Sequence, residues 1–202
     1  MHQCRRTMAR IHLSGLVVTT NRAESHTLRQ MLHRQSERTP QLDGKEAPLR
    51  IGILGASRIS PTSIVEPSRL TGARLVAVAA RDRNRAQDFA HRYGVERVLD
   101  TYEDLVNDPE VEAVYNPLAN SLHAQWNLAA IAAGKHVLSE KPFASNAAQA
   151  RGVRDAGKRA GVNVIDGFHY LYHPVTQRLH ELVASGELGE LQRVETMVMI
   201  PP

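Results

Sequence analysis

The residues with the clearest chemical potential form the tripeptide Glu140-Lys141-Pro142, which follows the short apolar run HVLS. An ammonium group beside a substrate oxygen stabilises negative charge that develops there, and a lysine can also give or take a proton. Burial would favour the neutral amine, whereas Glu140 favours the ammonium form, so the prevailing form of Lys141 stays open. Pro142 fixes the backbone after the lysine, and a cis Lys141–Pro142 bond is one option. The alternative is a surface Glu–Lys pair before a helix.

A second candidate is the small-residue loop GASRIS, which follows the apolar run LRIGIL. A dinucleotide-binding loop has glycine, glycine and a small residue at the positions of Gly55, Ser57 and Ser60. Gly55 permits the tight turn, Ser57 could donate its hydroxyl to a phosphate oxygen, and Ser60 is small enough for close helix packing. The N–H groups at the start of the next helix would favour an anion. By itself this pattern is weak, because a plain strand–turn–helix with small turn residues has the same sequence.

The end of the second apolar run carries both an arginine and an acid, Arg81 and Asp82. An acid about 20 residues past the loop binds the ribose hydroxyls of NAD, whereas an arginine there favours the 2′-phosphate of NADP. Arg81 stands nearest the run, and Arg83 and Arg85 follow, so NADP is favoured and NAD stays open. Asp82 has a second interpretation as the N-cap of the next helix.

Strand-like and helix-like segments alternate from Leu49 onward. These segments must position the candidate site residues named above. One helix shows Ala86, Phe89, Ala90 and Tyr93 on a single face. The alternation predicts an α/β fold with a doubly wound parallel sheet. The strand-like runs are LRIGILGA, ARLVAVAAR, ERVLD, VEAVYNPLA, KHVLSE and VNVIDGFHY, and the last run, LQRVETMVMIPP, alternates like a half-buried antiparallel strand.

Composition narrows the class of protein. The chain has 202 residues, 42% hydrophobic and 23% charged, as in an ordinary soluble globular protein. Residues 1–49 carry eight Lys/Arg and four Asp/Glu, while residues 50–202 carry 17 of each sign, so the predicted folded part has no basic excess for nucleic acid. Cys4 is the single cysteine, which excludes an internal disulfide and fits a cytoplasmic location. No apolar run reaches transmembrane length.

The motifs GASRIS, AARD, NPLANSLH and SEKPFA occur in this order, and with them the chain resembles the Gfo/Idh/MocA oxidoreductases, in the branch of dihydrodiol and D-xylose dehydrogenases. The resemblance runs from about Leu49 to the end, and Glu140-Lys141-Pro142 is its most specific motif. It implies a Rossmann domain followed by an open-sheet domain, and hydride transfer between NAD(P) and a carbinol carbon of a small sugar, polyol or cyclic diol. Homo-oligomers of the full-length form are also implied.

The resemblance assigns site residues position by position. Lys141 is the implied catalytic residue, pointing to the substrate oxygen, and Glu140 approaches the nicotinamide ribose. Tyr170 and His173 are substrate candidates, although core or helix-cap roles are equally open. The other implied cofactor-binding positions are Gly55, Ala56, Ser57, Arg58, Ile59, Arg81, Asn116, Pro117, Leu118, Asn120, His123 and Lys141.

The sequence departs from the family pattern in three respects. Ser57 replaces a glycine, and Leu171 stands where the family often has arginine. Family chains also continue well past residue 202, so we expect a disordered leader over 1–48, a Rossmann domain over 49–168 and the start of a truncated domain over 169–202. With one lone strand in that last part, the chain is expected to be inactive and prone to aggregate.

An alternative function and two histidine patterns complete the sequence-based predictions. A non-catalytic dinucleotide-binding regulator is the alternative function, and the retained Lys141 argues against it. No metal site is predicted: His169 and His173 are four residues apart, but Pro174 follows and the preceding run reads as a strand. The pair His180-Glu181 begins a zinc-protease pattern that lacks its second histidine.

Overall fold

The computed structural model describes residues 16–20 and 47–197, and the chain divides into two compact units. One unit spans Gly44–Phe168, and the other comprises Met1–Asp43 together with His169–Pro202. Both the glycine loop and Lys141 belong to the first unit. Within these described ranges, no helix has the length and apolarity that crossing a bilayer requires.

The first unit is built on a six-stranded sheet in which every pairing is parallel, as predicted. The strand order is β4-β3-β2-β5-β6-β7, so β2 pairs with both β3 and β5. Apolar runs buried on both faces are typical of parallel strands, and β2 and β3 have this composition. The bounds are β2 Arg50–Leu54, β3 Arg74–Ala79, β4 Val98–Leu99, β5 Ala113–Asn116, β6 His136–Ser139 and β7 Val164–Asp166.

Helices connect successive strands. A π-helical turn, Pro61–Val65, leads directly into the first α-helix. The α-helices are α1 Glu66–Thr71, α2 Arg83–Tyr93, α3 Tyr102–Asn107, α4 Asn120–Ala132 and α5 Ala147–Ala160, with α6 Pro174–Ala184 in the second unit. Their ends follow capping chemistry: Asp82 accepts hydrogen bonds from two N–H groups of α2, and Gly94 ends that helix at φ +75°. The predicted cap role of Asp82 is therefore confirmed.

Two apolar clusters cover the two faces of the sheet. One contains Leu105, Trp126 and Val153 from α3, α4 and α5, packed with β-strand residues. The other contains Val65 from the π-helical turn and Phe89 from α2. Helices on both faces of a sheet whose central strands β2, β3 and β5 are largely buried define the doubly wound architecture.

The second unit contains a strand that the sequence did not predict. β1, Leu16–Thr20, pairs antiparallel with β8, Gln192–Thr196, and lies within residues 1–48, for which we expected a disordered leader. The reason is visible in the segment LVVTT, whose four β-branched residues favour extended backbone. β8 is likewise paired and not the lone strand that we expected. The remaining leader residues before Ala47 lie outside the described residues.

Two glycines of α5 provide a test of how tightly this helix packs on the sheet. A Cβ at Gly157 would lie 2.6 Å from a methyl group of Val164, whose β-branched side chain is stiff, whereas a Cβ at Gly152 would meet nothing within 4 Å. We expect Gly152→Ala to stabilise the protein by up to about 1 kcal/mol through helix propensity. Gly157→Ala should be destabilising, because overpacking costs about 1–3 kcal/mol and exceeds that gain. Urea unfolding measures both, and equal stabilisation by the two variants would contradict the described packing.

Candidate active site

The site lies where the direction of strand progression reverses. Neighbours on one side of β2 are β3 and β4, and on the other side β5, β6 and β7. In such a sheet, ligands bind in the crevice beyond the carboxyl ends of the central strands. The segments after β2, β5 and β6 leave the sheet at this edge, and they carry the glycine loop, Asn116-Pro117-Leu118 and Glu140-Lys141-Pro142.

The glycine loop has the geometry of a close-approach turn. Gly55 has φ +83°, and a Cβ there would stand 2.9 Å from the side chain of Leu118, which follows β5. The Ser57 hydroxyl oxygen accepts a hydrogen bond from the backbone N–H of Ile59 at 3.3 Å and keeps its own hydrogen to donate. The buried Ser60 hydroxyl has no hydrogen-bond partner in the described part of the chain. A backbone cradle that no larger residue could form is therefore present at the expected position.

Two arginines stand at the open side of this loop. Arg81 lies two residues after the end of β3 and is exposed to solvent. Arg85, in the first turn of α2, donates from Nη2 to the carbonyl oxygen of Ala56 at 2.9 Å. Asp82 uses its carboxylate to cap α2, accepting from the N–H of Asn84 at 2.9 Å and the N–H of Arg85 at 3.3 Å. Because the Asp82 carboxylate is occupied by this cap, Arg81 and Arg85 are the charged groups that can face a phosphate here.

The turn after β5 is tied to β6 by buried amide side chains. Asn116 donates from Nδ2 to Oδ1 of Asn127 at 2.8 Å, and Asn127 in turn donates to the hydroxyl of Ser139 at 3.0 Å. Asn116 Oδ1 also accepts from the N–H of Leu118 at 3.3 Å. All three polar side chains of this relay are fully buried. Asn116 therefore supports the turn from inside, and its predicted cofactor contact stays a prediction, as does that of the buried Pro117 and the exposed Asn120.

The side chain of His123 links the turn after β5 to the turn after β6. Its ring is 0% exposed, with Nδ1 2.7 Å from the carbonyl oxygen of Pro142 and Nε2 2.8 Å from that of Leu118. Both ring nitrogens thus face backbone carbonyl oxygens, and because a neutral imidazole carries one N–H, the ring donates a hydrogen bond to at least one of them. The sequence predicted His123 to lie beside the cofactor channel; in the structure its polar atoms contact the turns after β5 and β6, and its cofactor contact stays a prediction.

Glu140 and Lys141 follow β6 directly. Glu140 is half-buried, its N–H donates to the carbonyl oxygen of Asn116 at 3.0 Å, and its Oε2 accepts from the N–H of Lys141 at 3.3 Å. The Lys141–Pro142 peptide bond is cis, one of the options that the sequence left open. Lys141 is exposed, and its ammonium makes no ion pair with a carboxylate in the described ranges. An amine at the mouth of the crevice is therefore free to meet a ligand.

Tyr170 and His173 lie in the second unit. Tyr170 belongs to the 3₁₀ turn His169–Tyr172, and its ring contacts that of His169 edge-on. His173 caps α6, accepting from the N–H of Val175 at 3.2 Å, so the cap role that we considered is confirmed. Their roles as substrate residues stay predictions.

Comparison with known proteins identifies the family. Residues 49–168 match the model of the oxidoreductase family with an NAD-binding Rossmann fold, Gfo/Idh/MocA. The chain belongs to this family. Its members among the curated proteins include an NADP-dependent D-xylose 1-dehydrogenase of Haloferax volcanii, 40% identical over 72% of this chain and 45% of that one. The mouse trans-1,2-dihydrobenzene-1,2-diol dehydrogenase is 34% identical over 71% of this chain and 44% of that protein.

A solved Gfo/Idh/MocA neighbour has the same fold with a ligand bound. The 3-ketoreductase of Actinomadura kijaniata, in complex with NADP and TDP-benzene, superimposes with a TM-score of 0.64 at 31% identity. The match covers 69% of this chain and 43% of that enzyme. The chain thus spans about half the length of the curated relatives it matches.

Several residues that shape the site were missed from the sequence. Tyr115, Asn127 and Asp166 all lie within or beside strands and helices, where the sequence pattern reads them as core or strand residues. Asp166 Oδ1 is buried without a partner in the described ranges. Burial, together with the charge of Glu140, raises the pKa of Asp166 above its ordinary range. The hydrogen bond from the N–H of Gly167 and the nearby His123 lower this pKa in part. No local motif could have signalled these contacts, since they join segments far apart in the chain.

The double contact of His123 predicts a graded loss of stability. His123→Leu removes every donor that the ring offers to the carbonyl oxygens of Leu118 and Pro142, at a cost of about 1–3 kcal/mol for each hydrogen bond lost. His123→Gln retains one amide donor group and should lose less. Urea unfolding of the three proteins should rank them wild type, Gln, Leu in falling stability. A Leu variant as stable as the Gln variant would exclude the bridging role.

Asp166 predicts a stability effect that depends on pH. A group whose folded-state pKa is raised contributes stability only below its ordinary pKa of about 3.9, and that contribution is lost as pH rises through the raised value. Asp166→Asn should therefore be more stable than wild type at pH 7, with the difference vanishing below about pH 4. Asp155→Asn is the control of opposite sign, because Arg154 lowers the pKa of Asp155. Thermal melts across this pH range compare them, and a constant difference for Asp166→Asn would contradict the assignment.

Proposed function

We propose that this chain carries the NADP-binding part and the catalytic lysine of an oxidoreductase that acts on a carbinol carbon of a sugar, polyol or cyclic diol. The observation that carries the proposal is the convergence of the glycine loop, the Leu118 turn and Lys141 on adjacent parallel strands at one switch point. The curated relatives, which act on xylose and on a cyclic diol by their names, support the substrate class.

The residues around the loop fit a dinucleotide. Gly55 opens a cradle next to Leu118, and Ser57 keeps a hydroxyl hydrogen to donate to a phosphate oxygen. Ala56, Arg58 and Ile59 complete the proposed pyrophosphate loop, and Arg81 is proposed to bind the adenosine 2′-phosphate. The bound nicotinamide would supply or accept the hydride. Glu140 would accept hydrogen bonds from the nicotinamide ribose.

Lys141 would bind the substrate oxygen and accept or donate the proton of that oxygen. When a carbinol is oxidised, its hydroxyl proton must leave as the hydride leaves carbon, and an adjacent amine can accept that proton or stabilise the oxygen's charge. The 2.7 Å contact between Nδ1 of His123 and the carbonyl oxygen of Pro142 holds the backbone beside this lysine. Substrate contacts from Tyr170 and His173 are part of the proposal. We also propose a cytoplasmic location and a homo-oligomeric full-length form.

Cofactor selectivity tests the role of Arg81. Arg81→Ala should weaken NADP binding about tenfold or more while leaving NAD binding nearly unchanged, because one charge-assisted phosphate contact is lost. Arg154→Ala, which removes an exposed arginine from α5, is the matched control and should change neither affinity. Calorimetric titration with both dinucleotides measures this. Equal weakening of NADP and NAD by Arg81→Ala would refute the assignment.

Turnover of a panel of sugars, polyols and cyclic diols with NADP tests the function itself. NADPH formation is followed by absorbance for wild type and Lys141→Ala, in the 202-residue chain and in any longer product of the same reading frame. The proposal expects Lys141→Ala to retain NADP binding and lose at least about a hundredfold in rate. NADP binding with no Lys141-dependent turnover in either form would instead favour a non-catalytic regulator.

A further inference from the structure

The Glu140 carboxylate is held on both of its oxygens. Oε1 accepts a hydrogen bond from the hydroxyl of Tyr115 at 2.9 Å, and Oε2 accepts from the N–H of Lys141 at 3.3 Å. A carboxylate offers about four lone-pair sites, so each oxygen keeps capacity for a further donor. The two contacts therefore fix the plane of the carboxylate without exhausting it.

Tyr115 is a rigid support for this contact. It lies on β5 between Ile53 of β2 and Leu138 of β6, and its side chain is 1% exposed. Burial is the main cause that raises the pKa of Tyr115, and the charge of Glu140 adds to it, whereas a hydrogen bond with Ser63 opposes it. The phenol thus keeps its proton throughout the neutral range and acts as a fixed donor.

Gly167 closes the opposite side of Glu140. Its N–H donates to the carbonyl oxygen of Ser139 at 2.7 Å, which brings the segment after β7 against the segment after β6. A Cβ built on Gly167 would stand 3.0 Å from that carbonyl oxygen, 3.3 Å from Cα of Glu140 and 3.5 Å from its Oε2. A methyl group at residue 167 would therefore press on the backbone of Ser139 and Glu140 and stand in van der Waals contact with the carboxylate that Tyr115 holds from its other oxygen.

We propose that Tyr115 and Gly167 are positioning residues that orient the Glu140 carboxylate for the hydroxyls of the nicotinamide ribose, and so set the affinity for the nicotinamide half of the cofactor. The inference rests on the proposed function of Glu140. Neither residue touches the cofactor in this arrangement; each acts through Glu140. Vicinal hydroxyls suit this geometry, because a carboxylate in a fixed plane accepts two donors best when it does not have to reorient.

The test compares two ligands that differ in the nicotinamide half. NADP carries the nicotinamide riboside, and adenosine 2′,5′-bisphosphate lacks it while retaining the 2′-phosphate. Tyr115→Phe removes the hydroxyl and preserves the ring, so the variant should bind NADP about five- to tenfold more weakly, the loss expected when one hydrogen bond to a charged group is removed. Its affinity for the bisphosphate should equal that of wild type.

Three further variants sharpen the test. Gly167→Ala should reproduce the selective loss of NADP affinity through steric pressure in place of a lost hydrogen bond. Tyr115→Phe combined with Glu140→Gln should bind NADP no more weakly than Glu140→Gln alone, since both changes act through one group. Tyr93 is half-buried with its ring tilted against that of Phe89; Tyr93→Phe is the matched control and should leave both affinities unchanged.

The possible results of these titrations distinguish a failure of this inference from a failure of the proposed function. Equal loss of both ligands in Tyr115→Phe would overturn the inference in favour of a general packing role, and unchanged NADP affinity would overturn it directly. Failure of the wild-type chain to bind either ligand would overturn the proposed function and this inference together. Circular dichroism melts of each variant, in the same buffer as the calorimetric titrations, establish that the folded fraction is equal.

Discussion

Two turns of irregular backbone follow the carboxyl ends of β5 and β6, and a carbonyl group of each turn faces a fully buried side chain. Irregular turns have no ladder partners for such carbonyls, and a carbonyl shielded from water without a donor costs about as much as a lost hydrogen bond, so both turns depend on ring nitrogens. α4 supplies them: the ring of His123 reaches Leu118 and Pro142. The position of Lys141 is thus a consequence of how α4 is anchored.

The same constraint explains the buried polar relay behind the turns. Asn116, Asn127 and Ser139 satisfy one another in a region that is otherwise apolar, and a fully satisfied network of this kind fixes one arrangement of the strand ends. The relay also places the Glu140 N–H on the carbonyl of Asn116, which continues the β5–β6 ladder to the edge of the crevice. Rigid strands and a rigid relay together leave the site little freedom to rearrange.

The parts of this architecture that could be predicted are those encoded by local pattern. Apolar runs and helical periodicity located the strands and helices, and Gly55 and Glu140-Lys141-Pro142 marked the loops because turn chemistry and charge stand out at strand ends. Contacts across the sheet could not be predicted, since Tyr115 and Gly167 are 52 residues apart and each stands in a run that reads only as a strand. β1 was missed because a five-residue strand whose partner lies more than 170 residues later has no local signal of pairing.

Asp82 and Arg81 divide two tasks between neighbouring positions. The carboxylate of Asp82 holds the first turn of α2, whereas Arg81 is exposed and makes no hydrogen bond in the described part of the chain. Mutation at residue 81 therefore leaves the helix start intact. Under the proposed role of Arg81, coenzyme preference could evolve by a single substitution that leaves the capping of α2 by Asp82 untouched.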